Sequence, residues 1–478
     1  MTQPTRTRPA APALLFLATL VAALSGCAAL VSGQAPLPAT PVPAAWFSAN
    51  GTTPPGETPT ALAQWWQRFN DPQLTTLVTQ ALQANTDVRG AQAALRQARA
   101  LRDVKSAGLL PSVGLSASAQ RGKSGGTAAS NSFQTGFDAS WEPDIFGGNR
   151  SGVNAAEADA QAAEANVANI QVSMAAEVAV TYIELRGLQA RLAIARGNLA
   201  SQTETLQIAR WRTQAGLASS LDVEQAVAAS EQTRAQIPTL ETSLAQALSS
   251  LAVLTGQAPG ALRESMGVAG PVPQAGSDLA LAIPAQTLRQ RPDVRAAEHR
   301  ISAALSRVAQ ADAARYPSFN LSGSLGLRAL TLGALTNGAS VASSLLAGVS
   351  VPLFDGGAAR AQVRAQEAAL EQARVSYQAT VLTALKDVED ALVSLQGNRE
   401  RLARLQGASD AAANADLLAR QRYNSGLIDF RTVLETQRTL LSTQDGVEST
   451  RASVSADLVR LYKALGGGWA PDAPATPL

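Results

Sequence analysis

Two hydrophobic periods run along this chain, and each of them occurs twice. A seven-residue spacing links Val178, Leu185, Leu192, Leu199 and Leu206, and again Val433, Leu440, Val447, Val454 and Leu461. Between them Val223, Ser230, Ile237, Leu244 and Leu251 keep the same spacing with one polar member. A strict seven-residue repeat holds one stripe of a helix against its neighbours and makes the packed helices supercoil. No proline falls between Asp144 and Ile237 or between Leu353 and Ala470. The pattern therefore predicts two very long helical hairpins, and a helix of about 60 residues is on the order of 90 Å long. Pro238 sits inside one helix and predicts a kink or an interruption there. The hairpin turns fall at Arg212-Thr213-Gln214-Ala215-Gly216-Leu217 and Arg422-Tyr423-Asn424-Ser425-Gly426-Leu427, where a glycine supplies the left-handed residue that ends a helix.

The second period is two. Val113, Leu115 and Ala117 form a weak example, and Phe133, Thr135, Phe137, Ala139 and Trp141 a clearer one. Phe319, Leu321, Gly323, Leu325 and Leu327 follow, then Leu345, Ala347, Val349, Val351 and Leu353. Each run alternates with small or polar residues over about ten positions, as strands of an outer-membrane barrel do, although a half-buried soluble sheet alternates in the same way. The intervening stretches around 122–130 and 329–340 are rich in Gly, Ser, Thr and Asn and predict hairpin ends. Ahead of each strand pair lies a shorter helical pattern. The first begins near Gln64-Trp65-Trp66, resumes after Asp71-Pro72 with Leu74, Leu77, Val78 and Leu82 on one face, and continues to about Ala107, where Gly108 and Pro111 end it.

The two halves are copies. Asp87-Val88-Arg89 precedes Pro111-Ser112 by the same distance as Asp293-Val294-Arg295 precedes Pro317-Ser318, and Gly216-Leu217 stands to Gly256 as Gly426-Leu427 stands to Gly466. The period, about 206 to 210 residues, is far beyond the roughly 20–50 of a solenoid unit. A duplicated unit of helix, two strands and long hairpin is implied, with the first repeat at 61–260, a connector at 261–292, the second repeat at 293–468 and a tail at 469–478.

The amino terminus changes the picture by giving an address. Arg6 and Arg8 precede an apolar run from Ala13 to Leu24 that is too short to span a bilayer. Leu24-Ser25-Gly26-Cys27 then resembles a bacterial lipobox, so 1–26 reads as a lipoprotein signal peptide and Cys27 as the lipidated residue. Cys27 is the only cysteine of the chain, which leaves it no disulfide partner. Ala28 after it leans toward the outer membrane. The stretch 27–60, with Pro36, Pro38, Pro41, Pro43, Pro54, Pro55 and Pro59, reads as an extended, coreless tether. Of the 478 residues only 16% are charged and 4% aromatic, which suits long close-packed helices. The net charge of +2 comes from Arg6 and Arg8, so no basic surplus points to nucleic acid.

Four membrane strands cannot close a barrel, and an open sheet edge in lipid leaves backbone groups unpaired. Several chains must share one. Two would give eight strands, whose interior side chains nearly fill; three would give twelve, wide enough for a conduit, with twelve helical strands beneath. The fold class is thus mainly α with a membrane β-barrel portion: a trimeric twelve-stranded β-barrel continuous with a long twelve-helix α-barrel.

Several ordered motifs resemble one family. They are Trp65-Trp66 with Phe69-Asn70-Asp71-Pro72, Arg291-Pro292-Asp293-Val294-Arg295, Val351-Pro352-Leu353-Phe354-Asp355-Gly356-Gly357, the turn Gly216-Leu217-Ala218-Ser219-Ser220-Leu221-Asp222-Val223, and Leu461-Tyr462-Lys463-Ala464-Leu465-Gly466-Gly467-Gly468-Trp469. Together they resemble the outer-membrane factors of bacterial tripartite efflux systems, in the lipoprotein branch called NodT-type. The resemblance implies a homotrimeric, passive, gated duct in outer-membrane lipid that meets a periplasmic adaptor and an inner-membrane pump. It implies a periplasmic gate at Arg422, Tyr423, Arg431, Glu435 and Arg438, with Tyr423 donating a hydrogen bond and Arg422 and Arg438 pairing with carboxylates. Glu435 stands where the family has Asp, and Arg431 where relatives carry an apolar constriction. Adaptor contact is implied at the hairpin tips, through Arg212, Gly216, Leu217, Ser219, Asp222, Gly426 and Leu427.

Other readings have less to support them. The single histidine, His299, lies in a helix beside Glu298 and Arg300, and no second His or Cys completes a zinc site with it. No nucleophile–base pair stands out, and Gly323-Ser324-Leu325-Gly326 lacks phosphate-loop spacing and its Lys. Neither an enzyme nor a cofactor is expected. A coiled-coil structural lipoprotein would share the lipobox and the seven-residue repeats but has no use for four alternating segments. A periplasmic adaptor would carry one hairpin rather than two. An outer-membrane component of type I secretion remains the alternative closest to the efflux reading.

Overall fold

The computed structural model describes residues 62–123, 125–126, 128–275 and 285–469, together with Pro38 and Trp46. The signal peptide, Cys27, most of the tether and the tail beyond Trp469 lie outside the described residues. Trp46 itself is only 5% exposed, so the tether is not wholly coreless as its prolines suggested; one indole carries enough apolar area to anchor a segment.

The helices are α1 (Pro72–Ala84), α2 (Thr86–Ala107), α3 (Gly148–Gln214), α4 (Ser220–Leu254), α5 (Pro292–Ala313), α6 (Ala358–Asn424) and α7 (Phe430–Ala464). The strands are β1 (Ser112–Gly122), β2 (Ser130–Trp141), β3 (Ser318–Ala329) and β4 (Val341–Ser350). Helix lengths recur: α3 and α6 have 67 residues each, α4 and α7 have 35 each. Pro238 does not interrupt α4, contrary to one of the two sequence expectations. Its position is exposed, and the loss of a single helical hydrogen bond is outweighed by the turns on either side.

One helix expected to run on to Ala107 is instead split at Asn85, whose ψ of 139° leaves the helical range. Its Oδ1 accepts from the N–H groups of Asp87 (2.7 Å) and Val88 (3.3 Å), capping α2, while Nδ2 donates to the Leu254 carbonyl at 2.9 Å. A short amide at this point competes with the helix for the backbone. Arg291, at the matching place in the second repeat, makes only the tether: it donates to the Ala464 carbonyl at 2.6 Å and pairs with Asp293 at 2.7 Å.

The described residues fall into two compact units that cut across the repeats, one holding those of 94–163 and 296–378, the other those within 40–93, 164–295 and 379–478. The first holds the sheet, with strand order β1-β2-β3-β4 and every neighbour antiparallel. Register puts Leu115 opposite Phe137, Phe137 opposite Leu325, and Leu325 opposite Ser343, so the apolar residues share one face. That face is uncovered: Leu115 is 71% exposed, Phe137 57% and Leu345 78%. The other face carries Ser116, Asp138, Ser324 and Ser344; Ser116 donates to the Asp138 carboxylate, and the two serines of β3 and β4 bond at 2.8 Å. The fourth strand stops at Ser350, short of the expected Val351 and Leu353. Pro352 has no N–H to give to a ladder. At the seam between repeats Gly136 faces Gly326 so closely that a Cβ on Gly136 would lie 2.6 Å from the Gly326 Cα. In the same unit Asp144 caps α3 through the N–H groups of Asn149 (3.1 Å) and Arg150 (2.8 Å). Asp355 caps α6 through those of Ala359 and Gly357, both at 2.8 Å, which hold its carboxyl below the usual range.

The second unit packs the hairpins. Val178, Leu185 and Leu461 are fully buried and Val433 nearly so, as the seven-residue stripe predicts. Trp65, fully buried, stacks on Tyr462 with ring centres 5.4 Å apart. Arg186, 4% exposed, donates to Tyr182 Oη (3.1 Å), Gln189 Oε1 (2.7 Å), the Val268 carbonyl (2.8 Å) and Gln73. Tyr182 in turn donates to Asp71 at 2.9 Å, and burial pushes its hydroxyl up to about 12.

Candidate gate and contact surfaces

Both hairpin tips are built by the same backbone device. Gly216 and Gly426 each have φ of 73°. Leu217 N donates to the Arg212 carbonyl (2.8 Å) and Gly216 N to that of Thr213 (3.0 Å); Leu427 and Gly426 repeat this with Arg422 (2.9 Å) and Tyr423 (3.0 Å). Such a paired closure satisfies the last carbonyls of a helix. The chain then restarts at a cap. Ser219 and Asp222 form a reciprocal capping box on α4, and Asp429 accepts from Thr432 N at 3.0 Å on α7. Ser219 and Asp222 are therefore engaged with their own backbone. The tips offer solvent mainly apolar groups: Leu217 is 74% exposed and Leu427 73%, beside Leu221 (63%) and Trp211 (60%), neither of which was among the expected adaptor contacts.

Arg212 is placed differently from an outward contact. Its guanidinium lies 4.3 Å from the Tyr423 ring centre and donates to the Tyr423 carbonyl at 3.2 Å, binding the first hairpin to the second. Tyr423 packs on Phe430 (5.3 Å) within a buried cluster of Leu206, Ala209, Ala419, Val433 and Leu434. Within the single chain its ring makes the contacts seen. Tyr423 is 9% exposed, and in this packing the apolar ring gains more than an exposed phenol would.

Arg431, Glu435 and Arg438 occupy the exposed face of α7 one turn apart, while Val433, Leu434 and Gln437 face inward. Arg422 is exposed at the end of α6. Among the described residues none of these four side chains forms an ion pair within its own chain. Arg431 lies near enough to Asp429 to help hold that carboxyl below its usual range, after the larger effects of the Thr432 hydroxyl and N–H.

Sequence reasoning missed a polar ladder from α3 to α6 and α7. Arg191 forks onto Asp445 (2.7 and 3.2 Å), Asn198 meets Gln444 (3.0 Å), Arg420 donates to Ser201, and Gln437 donates to Thr205 at 2.8 Å. A signal existed. Gln437 and Gln444 stand four residues after Val433 and Leu440, in the other seam position of the heptad, where a polar residue fixes register. Among the described residues there is no cluster able to hold a metal ion and no helix long and apolar enough to cross a membrane.

Strands of membrane length with an uncovered apolar face, repeated together with two long hairpins, define the subunit of an outer-membrane channel. The profile of the outer membrane efflux protein family matches residues 77–257 and again 283–467, and the chain belongs to that family. It is similar to the toluene efflux pump outer membrane protein TtgF of Pseudomonas putida, 32% identical over 94% of this chain and 96% of the relative. Nodulation protein T of Rhizobium leguminosarum bv. trifolii is 31% identical over 95% of this chain and 97% of its own. Among solved structures the outer-membrane channel OprN superposes with a TM-score of 0.84 at 35% identity, covering 90% of this chain and 98% of that one.

Proposed function

We propose that three copies of this chain form a passive exit duct of a tripartite efflux pump, carrying small amphiphiles from a periplasmic adaptor and an inner-membrane pump across the outer membrane. The carrying observation is the sheet: four strands with an uncovered apolar face, a hydroxyl-lined opposite face and two unpaired edges. Such edges are tolerated in lipid only when other chains close the barrel. The likeness to TtgF, a toluene pump component by name, supports small apolar cargo. Energy comes from the pump, and the chain carries no catalysis of its own.

Within this reading Arg422, Arg431, Glu435 and Arg438 guard the periplasmic end. They are exposed and form no ion pair among the described residues, which suits partners on neighbouring copies. Tyr423 supports the gate from beneath as a packing residue. Leu217 and Leu427 are the adaptor contacts, with Gly216 and Gly426 shaping the turns and Ser219 and Asp222 fixing them. Arg212 braces the two tips. Cys27 carries the lipid anchor.

The test is the protein mass of the detergent-purified particle by light scattering, corrected for bound detergent. Three chains per particle are expected. A stable single chain would overturn the duct, because four strands cannot close in lipid.

A further inference from the structure

The shared barrel leaves open how one copy meets the next, and the internal duplication supplies a template. We infer that β4 of one copy pairs antiparallel with β1 of the neighbouring copy in one register, with Ser350 opposite Ser116 and Gly348 opposite Ser118. This inference rests on the duct reading above.

Within the first repeat Ser112 pairs with Ser140, and within the second Ser318 pairs with Ser350. Ser112 therefore corresponds to Ser318, and Ser140 to Ser350. The seam that joins the repeats is β2 against β3, where Ser140 pairs with Ser322 and Asp138 with Ser324. The junction between copies also brings the second strand of one repeat beside the first strand of the next. Carried across, Ser322 becomes Ser116 and Ser324 becomes Ser118, which gives the stated pairs. The same translation sets Val349 opposite Ala117, Ala347 opposite Ala119, and Val351 opposite Leu115.

Two features of the isolated chain fit this register. Val349 meets Ala117, Ala347 meets Ala119 and Ser350 meets Ser116, so the apolar face stays continuous, whereas a slip of one residue would turn every side chain to the wrong face. Val351 is 46% exposed and Leu115 71% when the edges are free; the register covers them with each other and extends β4 by one residue, up to Pro352. One point cannot be copied. The closely apposed Gly136 and Gly326 correspond to Leu346 and Gln120, so the junction between copies is wider there and turns two larger side chains toward the polar face.

Slips of two residues would also keep the faces, so the experiment separates them. Directly opposite residues lie about 4.5–5.5 Å apart at Cα, within disulfide reach of roughly 4.4–6.8 Å. Diagonal neighbours have side chains about 7–8 Å apart, beyond it. The full-length Ser116→Cys/Ser350→Cys protein, purified in detergent and oxidised with copper phenanthroline, should give dimer and trimer bands on a denaturing, non-reducing gel. Their yield should exceed that of Ser118→Cys/Ser350→Cys and Gly114→Cys/Ser350→Cys by about tenfold, by that difference in reach. Gly348→Cys with Ser118→Cys should link as well as the first pair. Single-cysteine variants control for Cys27, the one native cysteine. Light scattering on the same samples separates the two claims. A particle of three chains in which a slipped pair links equally well, or in which no pair links, overturns the register and leaves the duct standing. A single-chain particle overturns both.

Discussion

Replacing Arg186 by Met removes every guanidinium donor while keeping an unbranched apolar stem. Two hydrogen bonds hold the segment after α4 to α3: Arg186 to the Val268 carbonyl at 2.8 Å, and Gln189 Nε2 to the Met266 carbonyl at 2.8 Å. Gln189 is itself oriented by Arg186 at 2.7 Å, so both attachments fail together. The site is tight, since a Cβ on Gly270 would stand 3.1 Å from the Arg186 Cζ. A bond from a charged donor is worth about 1.5–3 kcal/mol and a neutral one about 0.5–1.5. Together they give about 2–4.5 kcal/mol, and since 1.4 kcal/mol is tenfold, local opening should rise about 30- to 1600-fold. Hydrogen exchange read by mass spectrometry on peptides spanning 262–270 measures it. Met266 N, bonded to the Leu262 carbonyl at 2.9 Å, is a protected reporter. Arg186→Lys should recover only part, because an ammonium lacks the planar fork. A rise below about fivefold, or an equal rise throughout α3 and α7, would refute a local clamp of this strength.

Three further outcomes are expected. Gly216→Ala and Gly426→Ala should each destabilise by about 1 kcal/mol through backbone strain alone, because an added Cβ meets nothing within 4 Å. Gly197→Ala and Gly407→Ala, equally open but inside helices, should stabilise by about 0.5–1 kcal/mol; melting followed by circular dichroism checks both signs. Arg431→Ala with Glu435→Ala should leave assembly intact and raise single-channel conductance in planar bilayers, and an unchanged conductance would remove both from the gate. The Asp429 cap has a pH sign: its carboxyl is held below the usual range when folded, so its contribution is complete above the ordinary carboxylate range and is lost as pH falls from there through the lowered folded value. Melting temperature plotted from pH 6 to pH 3 should therefore fall less steeply in Asp429→Asn than in the parent chain.

Periodic features were the legible ones. The stripe through Val178 and Leu185 and the alternation through Phe133 and Phe137 repeat a single geometric constraint many times, so one sequence shows them. Glycines at left-handed turns are legible for a similar reason, since only their φ admits the turn. Features that depend on a distant neighbour were not visible. Asn85 looks like one more helical residue until Leu254 supplies the carbonyl that it reaches. Arg186 gathers Gln73 and Val268 from far along the chain. The packing of Phe430 and Arg212 around the Tyr423 ring was equally hidden, because it joins two hairpins far apart in sequence. The free edges at β1 and β4 were anticipated from the argument that four strands cannot close, yet the early stop at Ser350 was not.

The opposed glycines at the seam between repeats bear on how the gene could have begun. A solitary ancestral half with the first-repeat sequence would have to assemble as a ring of six identical pieces, with β2 of each beside β1 of the next. Gln120 would then stand where Gly326 stands. A Cβ at that place lies 2.5 Å from the Thr135 carbonyl oxygen, so this half cannot form the present seam with itself. The two halves are not interchangeable: the chain is committed to alternating two kinds of junction, and expression of residues 61–260 alone should not regenerate the assembly.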